Sequence, residues 1–125
     1  MTENRISYIV RGVSFNIYNQ LGPGLLESIY ERALYHVLLN EGFEVRSQVK
    51  IPVIFNDIDL GIGYRIDLLV ENKVIVEIKF VEELSNLHKK QLLTYLKLTG
   101  KKLGLLINFN STNLNQSIVR IVNDL

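Results

Sequence analysis

The chain has no cysteine and no tryptophan, and only one methionine and two prolines among its 125 residues. Without cysteine there can be no disulfide scaffold, no thiolate zinc site and no cysteine nucleophile. That composition is compatible with a reducing, cytoplasmic setting. Charge of one sign is also scarce: 14 Lys and Arg stand against 13 Asp and Glu, a formal +1. A globally basic surface that attracts nucleic acid by its field alone is therefore excluded, and any such role needs a local patch. No stretch reaches the length that spans a bilayer, so no membrane association is expected. Met1-Thr-Glu-Asn-Arg is not followed by an uninterrupted apolar run, so no signal peptide is expected. Apolar residues are abundant. At 47% hydrophobic and 22% charged, the chain suits one compact domain over residues 1–125.

Ile6, Val10, Val13, Ile17 and Leu21 mark one face of a first helix, which Gly22-Pro23-Gly24 ends. A second helix is expected from Leu25 to Glu41, with Leu26, Ile29, Ala33, Leu34, Val37 and Leu38 apolar and Gly42 past its end. Strand-like segments follow at Glu44–Ile51, with Pro52 limiting what comes after, then at Leu60–Val70 and Val74–Val81. Asn56-Asp57 reads as a turn, and Gly61 and Gly63 mark a bulge or a close approach. The helical period returns over Glu83–Leu98 and Gly100 closes it. Leu103–Phe109 reads as a buried strand, and Leu114–Val122 as a short last helix. The expected fold is α/β (α+β): a four-stranded mixed sheet flanked by helices, with a crossover helix between the third and fourth strands.

The segment Tyr64-Arg-Ile-Asp-Leu-Leu-Val-Glu-Asn-Lys-Val-Ile-Val-Glu-Ile-Lys79 carries the chemistry. It reads as two apolar strands around a polar turn, and Asp67, Glu77 and Lys79 interrupt the apolar pattern. Such charges are costly unless paired or bound to a metal. Period-two alternation puts Glu77 and Lys79 on one face. With Glu71-Asn72-Lys73 as a three-residue turn, Asp67 stands opposite Glu77, where Cβ atoms lie about 4.5–5.5 Å apart. Two carboxylates that close repel each other, and a divalent cation relieves the repulsion. An ion-pair network without catalysis is the alternative reading of the same residues.

Two further sets sit at helical spacing. Glu27 and Tyr30 share a face of the second helix, and His88, Gln91 and Tyr95 share a stripe of the third. Each has an ordinary structural explanation: Glu27 complements the helix dipole, the tyrosines pack, and the stripe is solvated. Arg65 shares strand parity with Asp67 and could face the same cleft.

With these residues in hand, the chain resembles the GxxExxY proteins of the PD-(D/E)xK nuclease-like superfamily. The resemblance rests on Gly24-Leu-Leu-Glu27-Ser-Ile-Tyr30, Tyr64-Arg-Ile-Asp67, Val76-Glu77-Ile-Lys79, His88-Lys-Lys-Gln91-Leu-Leu-Thr-Tyr95 and Gly104-Leu-Leu-Ile-Asn-Phe-Asn110. One departure is Ile66, where the superfamily usually has proline before the Asp. The resemblance implies a restriction-endonuclease-like core and a magnesium-dependent nuclease acting on nucleic acid, with DNA the expected substrate and manganese able to substitute. It makes Asp67 and Glu77 metal ligands, with the Ile78 carbonyl and Glu27 as further ligands, and Lys79 the catalytic lysine. Gln91 and Tyr95 match the Gln-x-x-x-Tyr pattern of RecB-like exonucleases beside the metal, and Arg65 and Tyr30 would contact substrate. The rival is a non-catalytic nuclease-like module that binds nucleic acid or protein, which near-neutral charge and small size favour. A homodimer would enlarge the surface, although no interface is visible in the sequence.

Overall fold

The computed structural model describes all 125 residues. Helix α1 (Glu3–Leu21) is followed by α2 (Glu27–Asn40), strands β1 (Val45–Phe55), β2 (Ile58–Val70) and β3 (Val74–Lys79), helix α3 (Asn86–Thr99) and β4 (Leu103–Asn108). A short 3-10 turn, Leu114–Gln116, then leads into β5 (Ile118–Val122). The sheet order is β1-β2-β3-β4-β5. Only β3 and β4 run parallel, and α3 makes the crossover between them. The sheet is therefore mixed, as expected, but has five strands rather than four. Leu114–Val122 is not a helix. Its run of Ile118, Val119, Ile121 and Val122 is β-branched, and β4 offers an open edge to pair with. That pairing outweighs a weak helical period.

Two apolar layers cover the sheet. On one face Ile6, Val10, Val13 and Ile17 of α1 and Tyr30, Leu34 and Leu38 of α2 pack on Leu68, Val70, Val76, Ile78, Leu105 and Ile107. On the other, Leu92, Tyr95 and Leu96 of α3 cover Ile66, Leu69, Ile75 and Leu106. The α1 stripe is buried as its spacing predicts, except Leu21, which is exposed. In α2 the buried positions are Tyr30, Glu31, Leu34 and Leu38, whereas Leu26, Ile29 and Val37 face outward. All of β3 up to Ile78 is buried, as a strand covered on both sides must be.

The β1–β2 hairpin is longer than the sequence suggests. β1 continues through Pro52, which an edge strand tolerates because its missing N–H is not needed by a neighbour. Gly63 faces Pro52 so closely that a Cβ there would lie 2.3 Å from the Ile51 carbonyl oxygen. The register slips between Pro52 and Ile54, and Gly61 takes the bulge at φ 69°. Asn56 and Asp57, at φ 49° and 62°, close a two-residue turn.

The hairpin also changes faces midway. Val45 packs with the α1–α2 layer, but Val49 and Ile51 pack with the α3 layer. On β2, Leu68 and Val70 belong to the first layer and Ile66 to the second. Strict alternation cannot give that pattern. The switch falls at Gln48, whose backbone has φ 54°, and at Asp67, which the register sets opposite it.

Candidate active site

The β2–β3 turn is Glu71-Asn72-Lys73, the three-residue turn that the site requires. Pairing runs Val70↔Val74, Leu69↔Ile75 and Leu68↔Val76, and the next step along this register sets Asp67 opposite Glu77. There the backbone ladder stops and side chains take over. The Asp67 N–H donates to Glu77 Oε2 at 2.8 Å, and the Ile78 N–H donates to Asp67 Oδ2 at 2.8 Å. The strands splay, and both carboxylates lie in the gap, each accepting from a backbone N–H through one oxygen.

Burial and proximity make this pair electrostatically costly. Glu77 is 6% exposed. Its carboxyl is pushed up to about 9, first by burial and next by the charge of Asp67. Its bond from the Asp67 backbone and the nearby Lys79 ammonium counter this only in part. Lys79 is half-buried beside the pair.

The chain just beyond Lys79 is fixed in place. Glu27 Oε2 accepts from the Phe80 N–H at 2.8 Å, and the Phe109 N–H donates to the Lys79 carbonyl at 3.0 Å. The buried Asn108 side chain donates to the Val81 carbonyl at 2.8 Å and accepts from the Val81 N–H at 3.1 Å. Glu27 therefore supports the end of β3. The acid of α2 that reaches Asp67 is Glu31, one helical turn further on. Glu31 is buried and accepts from Gln48 Nε2, which also reaches Asp67 Oδ1 at 3.3 Å. Burial raises the Glu31 carboxyl above its ordinary value, the Gln48 bond opposes the rise, and the Asp67 charge adds to it.

From the other face, α3 brings Tyr95 to the carboxylates. Its hydroxyl is pushed up to about 12 by burial, then by Glu77, Tyr64 and Asp67. Tyr95 thus stays a neutral phenol, able to donate a hydrogen bond at any ordinary pH. Its ring is 5.2 Å from that of Tyr64. Gln91 lies one turn before Tyr95, exposed. His88 caps α3, its Nδ1 accepting from the Ser85 N–H at 3.0 Å.

Two expected contacts are placed otherwise. Tyr30 is fully buried, its ring stacked 4.3 Å from Phe109. Its hydroxyl donates to the Gly22 carbonyl at 2.5 Å and accepts from the Leu25 N–H at 3.2 Å. It clamps the Gly-Pro-Gly turn and has no surface to offer a substrate. Arg65 is exposed, but the face switch between Ile66 and Leu68 removes the parity argument that put it beside Asp67.

Glu31, Gln48 and Asn108 were not singled out in the sequence. Glu31 had a readable signal, since it falls on the same helical face as Leu34 and Leu38, which are buried. Gln48 had none, because its role depends on a left-handed backbone that no local pattern announces.

The donor set suits a hard cation. Glu77 Oε1 is free of hydrogen bonds, and Asp67 Oδ1 has only the long bond from Gln48. The Ile78 N–H points toward β2, and in a strand the carbonyl of the same residue points the same way, into the gap. No group of three or more His, Cys, Asp or Glu is gathered into a cage. Two carboxylates and a carbonyl match an ion such as magnesium, which keeps several of its waters. A groove of about 880 Å³ lies elsewhere, against Tyr8, Phe15, Ala33 and Val37 of α1 and α2. Neither Asp67 nor Glu77 lines it. No helix is long and apolar enough to cross a membrane.

No curated protein and no solved structure matches the chain. A family profile does, over residues 4–121, and with the splayed Asp67–Glu77 pair and Lys79 on a mixed sheet flanked by helices, the chain belongs to the PD-(D/E)XK nuclease superfamily.

Proposed function

We propose that the protein is a magnesium-dependent nuclease of the GxxExxY type that hydrolyses phosphodiester bonds in DNA. The observation that carries this reading is the pair Asp67–Glu77. The fold holds two carboxylates in contact, one of them buried, and the single nearby cation leaves the Glu77 anion disfavoured. A structural ion-pair network would neutralise itself better than that.

Asp67, Glu77 and the Ile78 carbonyl would hold the ion, with Glu31 close to Asp67. A bound divalent ion supplies positive charge for the scissile phosphate and acidifies a water molecule. Lys79, on the face of Glu77 by strand parity, holds the attacking water and stabilises charge on the phosphate as it becomes five-coordinate. Tyr95 donates a hydrogen bond from its neutral phenol and limits the water around Glu77. Gln91, exposed one turn away, orients a phosphate oxygen. Glu27 holds the backbone next to Lys79 by accepting from the Phe80 N–H.

The test is cleavage of labelled single- and double-stranded DNA by the wild type, Asp67→Ala, Glu77→Ala and Lys79→Ala, in magnesium, manganese and chelator. The wild type should cut with either metal and be silent in chelator. The two carboxylate variants should lose metal binding and activity. Lys79→Ala should bind metal normally and turn over roughly 10²–10³-fold more slowly, the usual consequence of losing a preorganised charge. DNA binding that ignores metal, with no cleavage of any substrate, points instead to a non-catalytic binding module.

A further inference from the structure

Lys50 and Arg65 are direct cross-strand partners on the β1–β2 hairpin, and both are exposed. Like charges set opposite each other destabilise a sheet, so folding gains nothing from the pair. Period-two alternation along β1 puts Lys50, Pro52 and Ile54 on one face, with Arg65, Gly63 and Asp59 as their partners. This face is turned away from Ile51 and Tyr64, and so from the α3 layer. From the base of the hairpin toward its tip it reads two cations, a flat pair, then an isoleucine beside an acid. All of these residues are exposed, so no other element covers the face. Lys50, Pro52, Asp59, Gly63 and Arg65 line one cleft of about 750 Å³, with Ile62 on its wall. Asp59 stands two pairs on from the cations, about 13 Å along β1, too far to neutralise them. It accepts instead from the Gly61 N–H at 2.9 Å. Ile54 is 54% exposed and Ile62 73%.

We propose that this face binds a second copy of the chain, forming a two-fold dimer in which the hairpins run antiparallel. The surface is complementary to itself in charge. The cation pair and the Ile54–Asp59 pair lie one step to either side of Pro52–Gly63. A two-fold axis running across the hairpins, between the two Pro52–Gly63 pairs, therefore sets the cations of one copy against the Ile54–Asp59 pair of the other. Asp59 of each copy then lies over Arg65 of the other, with Lys50 beside it. Ile54 covers the aliphatic stem of Lys50. Such an isologous contact closes as a pair rather than a chain of copies. The flat Pro52–Gly63 centre lets the ribbons approach, and Ile54 and Ile62 leave water. The face is only one hairpin wide, so it belongs with small, transient interfaces, and its affinity should be micromolar and fall with salt. A polyanion fits it less well, because an acid and two isoleucines stand where further phosphates would lie. The Tyr64–Tyr95 side, which borders the Asp67–Glu77 pair, stays open. Dimerisation here is independent of nuclease activity, and either can fail without the other.

Sedimentation velocity of the full chain across the micromolar range, at low and at high salt, reads the equilibrium. The wild type should pass from monomer to dimer as it is concentrated, and high salt should shift it back. Asp59→Asn keeps the acceptor for the Gly61 N–H and removes only the charge. It should weaken the dimer roughly 2- to 30-fold, as the loss of two symmetry-related ion pairs of ordinary surface strength implies. Asp59→Lys and Lys50→Glu/Arg65→Glu should each be monomeric alone. Mixed in equal amounts they should form a heterodimer, because both contacts regain opposite charges. Circular dichroism melts establish that each variant is folded, and Asp59→Asn carries the test if a reversed variant is not. A wild type that stays monomeric, a dimer that Asp59→Asn does not weaken, or folded reversed variants that do not pair overturns the inference. Fluorescence anisotropy of a labelled duplex in chelator covers the competing occupant. A monomeric wild type whose DNA binding is lost in Lys50→Glu/Arg65→Glu gives this face to nucleic acid and overturns the dimer.

Discussion

Glu77 is the group whose charge the fold resists most, and Glu77→Gln isolates that resistance. In the folded chain its carboxyl is raised from 4.5 to about 9, by burial first and Asp67 second. A raised value means that the folded chain binds the proton more tightly than the unfolded chain does. The resulting stability is complete below the unfolded value and is lost as pH climbs toward 9. At about 1.4 kcal/mol per pH unit, the ceiling on that loss is about 6 kcal/mol. Ionisation lets water and side chains rearrange around the new charge, so a measured loss of about 2–3 kcal/mol is expected. Urea unfolding followed by circular dichroism in chelator, from pH 5 to pH 9, reads it directly. The wild type should weaken steadily across this range. Glu77→Gln should flatten the curve and become more stable than the wild type by pH 8. Some slope should remain, because Glu31 is raised in the same direction. A wild type whose stability is level or rises across this range, or a glutamine variant weaker than the wild type at pH 8, would refute the reasoning.

Magnesium should bind with release of a proton, its affinity rising by up to tenfold per pH unit between about pH 6 and 8, because the ion needs Glu77 ionised. Calorimetry in buffers of different ionisation enthalpy counts that proton, and a pH-independent affinity would contradict it. Tyr30→Phe removes the hydroxyl from the Gly22 carbonyl and the Leu25 N–H and should cost about 1–3 kcal/mol of stability while leaving metal affinity unchanged. Gly63→Ala drives a methyl group into the Ile51 carbonyl and should cost about 1–3 kcal/mol, read as a lowered urea midpoint. Gln48→Ala leaves Asp67 without its bridge to Glu31, and metal affinity should fall roughly 10-fold, within the range seen when an outer partner of a ligand is lost.

The core hairpin was legible because its signals are local. Apolar alternation, a turn of three polar residues and three misplaced charges were enough to put Asp67 opposite Glu77, where the structure has them. The α1 stripe was legible for the same reason. The last strand was not: Leu114–Val122 suits a helix or a strand, and the choice depends on the vacant edge of β4, which no local window contains. The buried face of α2 was not legible, because Ile29 and Val37 are as apolar as Leu34 and Leu38, and only the packed sheet decides which face it covers. Tyr30 was expected to contact substrate, yet its spacing from Glu27 serves two structural tasks: Tyr30 pins the Gly22–Leu25 turn and Glu27 pins Phe80. The Glu31–Gln48–Asp67 chain stayed hidden because the positive φ at Gln48 and the face switch it allows arise from tertiary strand pairing.

The most direct measurement is a crystal soaked in manganese, with anomalous scattering recorded at the metal edge. Chelator-treated crystals serve as the reference. A peak at about 2.1 Å from Asp67 and Glu77 oxygens, with the Ile78 carbonyl on its third side, is the expected result. No peak, or one held by other residues while the Asp67–Glu77 gap stays empty, would contradict a metal-dependent nuclease at this site.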